Sequence, residues 1–249
     1  MNKSNPRTFQ RLVLWEIEEC LNLPLLSLII ASAIIAVLVQ TSSNRALANS
    51  YINLYDGSST IFLILTLVAS ILFSHSFAGS LGKGELKRML SYPVKRWQVF
   101  LSKVIAINLI VFGVYASAFT LNLYLSSLSV FEPLFYVSLF VMFLQLLVVC
   151  AIGVAISLIT KSEVMSILTS FLLILGIDYN LGVNSYFSSQ GRFMYIFGYF
   201  EQAAHNTNMA INTPVTFEQV ALSIAIPIVV VAVALTAAFV YFTRKMEVD

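Results

Sequence analysis

The 249 residues are 59% hydrophobic and only 10% charged, with 14 basic against 12 acidic side chains. A soluble domain carries about 25% charged residues, so the folded surface of this chain is not mainly aqueous. That excludes an ordinary soluble domain and points to an all-α integral membrane protein, read as a single domain over residues 1–249.

The first predicted element precedes any span. Asn5 and Pro6 make a helix-start signal, since proline's missing N–H is harmless at a first helical position. Phe9, Val13, Leu14, Ile17, Cys20 and Leu21 then gather on one face at helical spacing, with Arg11, Glu18 and Glu19 opposite, Gln10 inside the stripe and Glu16 at its edge. This amphipathic helix is expected to lie along the cytosolic interface, with Arg7 and Arg11 near lipid phosphates and Trp15 at headgroup depth. Pro24 is expected to break the backbone after Leu23 and separate the flat helix from the first span.

Charge-free stretches run Cys20 to Asn44, Gly57 to Gly82, Val104 to Phe131, Pro133 to Thr160, Val164 to Ile177 and Gln219 to Thr243. Five of the six exceed the roughly 20 residues that a helix needs to cross about 30 Å of hydrocarbon. The fifth is short, and is read as a span continuing to Leu181 with Asp178 at the interface, because six crossings leave both termini on one side. That side carries Lys3, Arg7, Arg11, Lys83, Lys87, Arg88, Lys95, Arg96, Lys103, Lys161, Arg244 and Lys245, while only Arg45 and Arg192 lie opposite. By the positive-inside rule both termini are cytosolic, in a multi-pass protein of a prokaryotic cell membrane. Ala46-Leu47-Ala48 has the small-x-small form of a peptidase site, but the apolar run before it outlasts the roughly 7–15 residues of a signal core, so no cleavable signal is expected.

Between spans two and three stands a charged break, Gly82 to Gln98, which with Lys103 holds six of the basic residues. Leu86, Met89 and Leu90 take i, i+3 and i+4 positions on one face while Lys87 and Arg88 point elsewhere, predicting a short amphipathic helix from Gly84 to Ser91. Pro93 ends it, pushing Tyr92 out of the helical region and opening the next helix, which runs through Trp97 and Lys103 into span three.

The run Gly84 to Ala106 resembles the segment between spans two and three in permeases of the type-2 ABC exporter family, also called type V. Gly84, Leu86, Leu90, Ser91, Pro93, Val94, Arg96 and Lys103 match its pattern without a gap, and Met89 stands in for a leucine. Glu85 replaces the usual threonine, and Ser80 to Lys83 lack the glutamates common before the glycine. The six spans and the N-terminal helix also fit, so the resemblance covers most of the chain.

The resemblance implies the transmembrane half of an ATP-driven exporter. Residues 84–91 would then be the coupling helix, with Gly84, Glu85, Leu86, Met89, Leu90 and Pro93 as the ATPase-coupling residues, resting in a groove of a cytosolic ABC ATPase subunit. ATP and Mg would be bound by that partner, and a second permease, identical or homologous, would complete the assembly in the bilayer; no nucleic acid is involved. Leu86, Met89 and Leu90 would fill an apolar groove, and Lys87, Arg88, Lys95 and Arg96 would meet acidic rims or headgroups. Lys95, Arg96 and Lys103 can equally be read as topology signals alone. The chain holds no ATPase of its own: Gly79 to Gly84 begins like a P-loop, yet Glu85 stands where the phosphate-binding lysine belongs and no strand precedes it.

The outer segments Thr41 to Ser58 and Ser126 to Glu132 are fairly short. Asp178 to Glu218 is long and aromatic, and is expected to dip into the outer leaflet as one or two short re-entrant helices. Within the spans, His75, Asn108, Asn122 and Gln145 are candidates to face a cavity or, more often, to bond a neighbouring helix. No charge is expected deep in any span, which favours an apolar or amphipathic cargo over a small ion. Cys20 and Cys150 have no disulfide or metal geometry and read as packing residues. No catalytic, cofactor or metal site is expected; a membrane enzyme would need convergent polar residues, and His75 and His205 fall towards opposite sides. A secondary transporter or structural membrane subunit without an ATPase is the alternative.

Overall fold

The computed structural model describes residues 6–44, 50–86, 94–125, 133–182, 185–205 and 214–245. Every long element among them is helical. In chain order these are α1 (Pro6–Cys20), α2 (Leu23–Asn44), α3 (Ser50–Ser74), α4 (Arg96–Leu125), α5 (Pro133–Thr160), α6 (Glu163–Leu181), α7 (Ser189–His205) and α8 (Phe217–Val240). A π-helical turn, His75–Gly79, follows α3 and leads into one helical turn, Ser80–Gly82; a second π-turn, Tyr241–Lys245, follows α8.

Five stretches, Ile61–Gly82, Arg96–Leu125, Pro133–Thr160, Glu163–Leu181 and Phe217–Arg244, are long and apolar enough to cross a membrane. The bent pair Phe9–Cys20 and Leu23–Leu38 passes the same test when its two helices are taken together, which brings the candidates to as many as six. The chain is thus a multi-span membrane protein. Exposed Ile34, Leu38, Leu109, Leu121, Val164, Leu168, Leu172, Val229 and Val233 on its outside are what a hydrocarbon solvent demands.

α5 is the central strut, packed against α3, α4, α6, α7 and α8. Its buried Gly153 lets α3 come close: a Cβ there would stand 3.3 Å from that of Phe73. α6 ends at Leu181, where the charge pattern put the fifth span's end. α8 starts on a capping box in which Thr216 Oγ1 accepts from Gln219 N and Gln219 Oε1 accepts from Thr216 N.

Three expectations are corrected. α1 and α2 meet at a 73° bend, but the break falls at Leu21 and Asn22, before Leu23, and Pro24 sits in the first turn of α2. There its missing N–H leaves no bond unmade, and Asn22 O accepts from Leu26 N instead. The first outer connection is shorter than Thr41 to Ser58, since α2 runs to Asn44 and α3 begins at Ser50. The buried edge of α1 is also rotated: Glu16 and Cys20 are buried while Leu14 and Leu21 are exposed.

Candidate functional site

The π-turn carries one residue more than an α-turn, so consecutive side chains fan out toward different neighbours; such turns recur at functional sites. His75 Nδ1 lies 2.7 Å from Glu163 Oε1 at the start of α6. Ser76 is buried and accepts from Lys103 Nζ of α4 at 3.3 Å. Phe77 enters the core, edge-on to Phe100 at 5.5 Å and to Phe242 at 6.4 Å. Gly79 lets the Glu163 carboxylate come close: a Cβ there would stand 2.8 Å from Glu163 Oε2, and that flexible side chain would have to shift.

Lys103 is seven residues into α4, yet its side chain and that of Glu16 are each only 1% exposed. Nζ lies 2.9 Å from Glu16 Oε1 and donates to Oε2 at 3.0 Å. Burial lifts the Glu16 carboxyl above its ordinary value, Lys103 pulls it back, and Glu19 and Glu85 add upward pushes. One helical turn on, burial pushes the Cys20 thiol up to about 12, with the charge on Glu16 adding to it, so Cys20 is an inert packing group. A charge is therefore buried within a span, and its counter-ion comes from the helix ahead of the first span. Lys103 is more than a topology signal.

Beside this pair a hydroxyl ladder joins three helices. Ser166 Oγ of α6 lies 2.8 Å from Ser74 Oγ of α3 and 2.7 Å from Ser157 Oγ of α5. α5 and α6 are joined by a reversal in which Lys161 takes φ 52°, a left-handed conformation rare for a side chain of this kind.

At the far end of the bundle, α7 folds back from the end of α6. Asp178 caps it, with Oδ1 accepting from Ser189 N at 2.7 Å and Oδ2 from Ser189 Oγ at 2.6 Å. Arg192, in the first turn of α7, is 1% exposed. Its Nη1 donates to Phe187 O at 2.5 Å and its Nη2 to Gln145 Oε1 of α5. Its guanidinium keeps its charge, as arginine does in proteins. Phe193 and Phe197 stack at 4.9 Å beneath it, and Phe193 meets Phe62 of α3 edge-on at 5.9 Å.

The remaining sequence candidates divide clearly. Asn108 donates to Val104 O at 2.7 Å and to Cys150 Sγ at 3.5 Å. Gln145 is engaged by Arg192 and His75 by Glu163, so three of the four intramembrane polar residues bond to neighbouring groups of the chain. Asn122 is buried. In the charged break, Gly84 takes φ 71° and Leu86 is 1% exposed, packed in the core of this chain. Met89, Leu90 and Pro93, with Lys87 and Arg88, lie outside the described residues, as does most of the helix expected over 84–91. Glu16, Ser76, Glu163 and Arg192 were not among the candidates. Lys103 held the signal for the first two: a lysine two turns into an apolar helix needs an acceptor.

Residues 20–176 match the family described as ABC-2 family transporter protein. The chain belongs to this family. No curated protein matches it. As an ABC-2 family member, the chain is a membrane permease component of an ABC transporter, a transport subunit and not itself the catalytic one. The match runs from Cys20 through α2 to α6, and so contains the π-turn, the charged break, Lys103 and Glu163, while Glu16 stands just ahead of it.

Proposed function

We propose that this chain is the permease of an ATP-driven exporter for an apolar or amphipathic cargo, working with a cytosolic ABC ATPase that binds ATP and Mg and with a second permease, identical or homologous. Membership of the ABC-2 family is the observation that carries the reading. The charged break is the docking element. Gly84, Glu85, Met89, Leu90 and Pro93 form or shape its contact with the ATPase, and Leu86, packed in this chain's own core, anchors it to the bundle. Both termini are cytosolic, α1 is an interfacial helix, and α7 is a re-entrant helix of the outer leaflet. The last assignment is supported by depth. α6 rises about 28 Å, and Gln145 stands about 22 Å up α5 from Thr160, so Arg192 is anchored at a level still inside the bilayer. An apolar cargo is supported because His75, Asn108 and Gln145 are engaged by protein groups.

The test replaces Met89 by Asp in the permease purified with its ATPase. Copurification of the ATPase or vanadate-sensitive ATP hydrolysis should fall by about tenfold, the effect of roughly 1.4 kcal/mol lost at a small apolar contact. Unchanged hydrolysis with unchanged copurification rejects the docking assignment, and an active permease that copurifies no ATPase rejects the ATP-driven reading in favour of secondary transport.

A further inference from the structure

Residues 83–95 connect the helical turn that follows the π-turn to the start of α4 at Arg96. Ser76 belongs to the first flank and Lys103 to the second, and the Lys103 ammonium joins them while also holding Glu16 of α1. Three elements therefore meet at one nitrogen. A second contact lies one end further along the same seam, where Phe9 and Trp97 stack at 6.2 Å. From Phe9 to Glu16 and from Trp97 to Lys103 the two contacts advance in the same direction, so α1 is held to α4 at two points and cannot pivot about either.

A buried ion pair is a poor source of stability, since well-packed apolar residues of similar volume often do as well or better, and its best-attested use is to fix the register between elements. Here the ammonium faces both carboxylate oxygens and a hydroxyl, whereas an apolar contact at the same place would let the helices slide.

We propose that Glu16, Lys103 and Ser76 are positioning residues that lock α1, the base of α4 and the π-turn into one moving body, so that a displacement of residues 83–95 carries α1 with it. The inference rests on the reading of that segment as the ATPase-docking element. With neither the lock nor the Phe9–Trp97 stack, α4 still moves with the docked ATPase while α1 is left behind.

The test is made on a Phe9→Ala parent, which lacks the stack on Trp97, and compares it with the same protein carrying Glu16→Gln and Lys103→Met, a pair that removes both charges and strands neither, each in the purified permease–ATPase complex. Nitroxides are placed on cysteines at Gln10 and Ile159, and in a second sample at Ile105 and Ile159, all exposed positions. In the parent protein, Mg-ATP with vanadate should shift both distances. In the double variant the Ile105–Ile159 shift should persist and the Gln10–Ile159 shift should vanish, with copurification unchanged and ATP hydrolysis lowered about fivefold or more, the low end of coupling between linked sites. A Gln10–Ile159 shift of full size in the double variant overturns the proposal. Absence of any nucleotide-dependent shift in the parent defeats the ATP-driven reading instead. The lock is then decided by the nucleotide-free Gln10–Ile105 distribution, narrow in the parent and broadened in the double variant if the three residues hold α1, and equally narrow in both if they do not. If the double variant fails to accumulate, the pair Glu16→Met, Lys103→Met, which fills the same place with two apolar side chains and also breaks the tie to α1, is read by the same distances.

Discussion

Replacing Gln145 by Leu leaves Arg192 with Phe187 O as its one remaining acceptor among the described residues. The guanidinium is buried and still charged at neutral pH, so it cannot turn to water without lifting the first turn of α7 off α5. A hydrogen bond to a charged group contributes about 1.5–3 kcal/mol. If that loss falls on the opening of α7 alone, the opening equilibrium shifts roughly 10- to 140-fold at about 1.4 kcal/mol per decade. Amide hydrogen exchange measured by mass spectrometry on peptides from residues 189–205, in lipid nanodiscs, should accelerate by that factor, with peptides from α4 unchanged. Gln145→Glu is the control, because a carboxylate at the same place keeps an acceptor for Arg192 and should exchange no faster than the parent. Exchange in α7 within about twofold of the parent in Gln145→Leu would refute the reasoning, as would equal acceleration in α4, which marks global loosening.

Two further substitutions probe the reversals at either end of α6. Gly191→Ala would drive a Cβ into the Ser185 carbonyl oxygen and to 2.9 Å from Ser188 Oγ; because backbone must yield, a loss of about 1–3 kcal/mol or more is expected, read as a lowered melting midpoint in detergent. Lys161 holds φ 52°, so β-branched Lys161→Val should lower stability by about 1–2 kcal/mol while Lys161→Gly does not, a difference that the same melting assay resolves.

Hydropathy and charge placed the spans well because they report what lipid requires. A helix of about 20 residues with few charges has little else to do, and the end of α6 at Leu181 follows from that requirement together with parity. The first turn of α2 was misplaced by two residues because proline fits a helix's opening turn as well as it ends a helix. The periodicity of α1 put Glu16 at the edge of an apolar stripe, and the structure makes it the buried centre of a seam. What reversed the reading is Lys103, 87 residues away in the chain, and no local pattern carries that distance. Arg192 illustrates the same limit: as an outer basic residue it was one count in a topology argument, whereas its folding partner Gln145 had been weighed separately as a pathway residue. Pairings between helices are set by the tertiary arrangement, and they decide which polar groups are free for cargo or partners.

The order of Glu16 and Lys103 along the chain also bears on how the protein is made. Synthesis runs from the N-terminus, so α1 and its carboxylate are already present when α4 emerges and its lysine must leave water. The same holds for Gln145, which precedes Arg192 by 47 residues. In each pair the acceptor is laid down before the cation that needs it. A cation stranded in hydrocarbon is among the costliest groups a membrane helix can carry, and this order of appearance gives each cation its acceptor from the moment it is inserted.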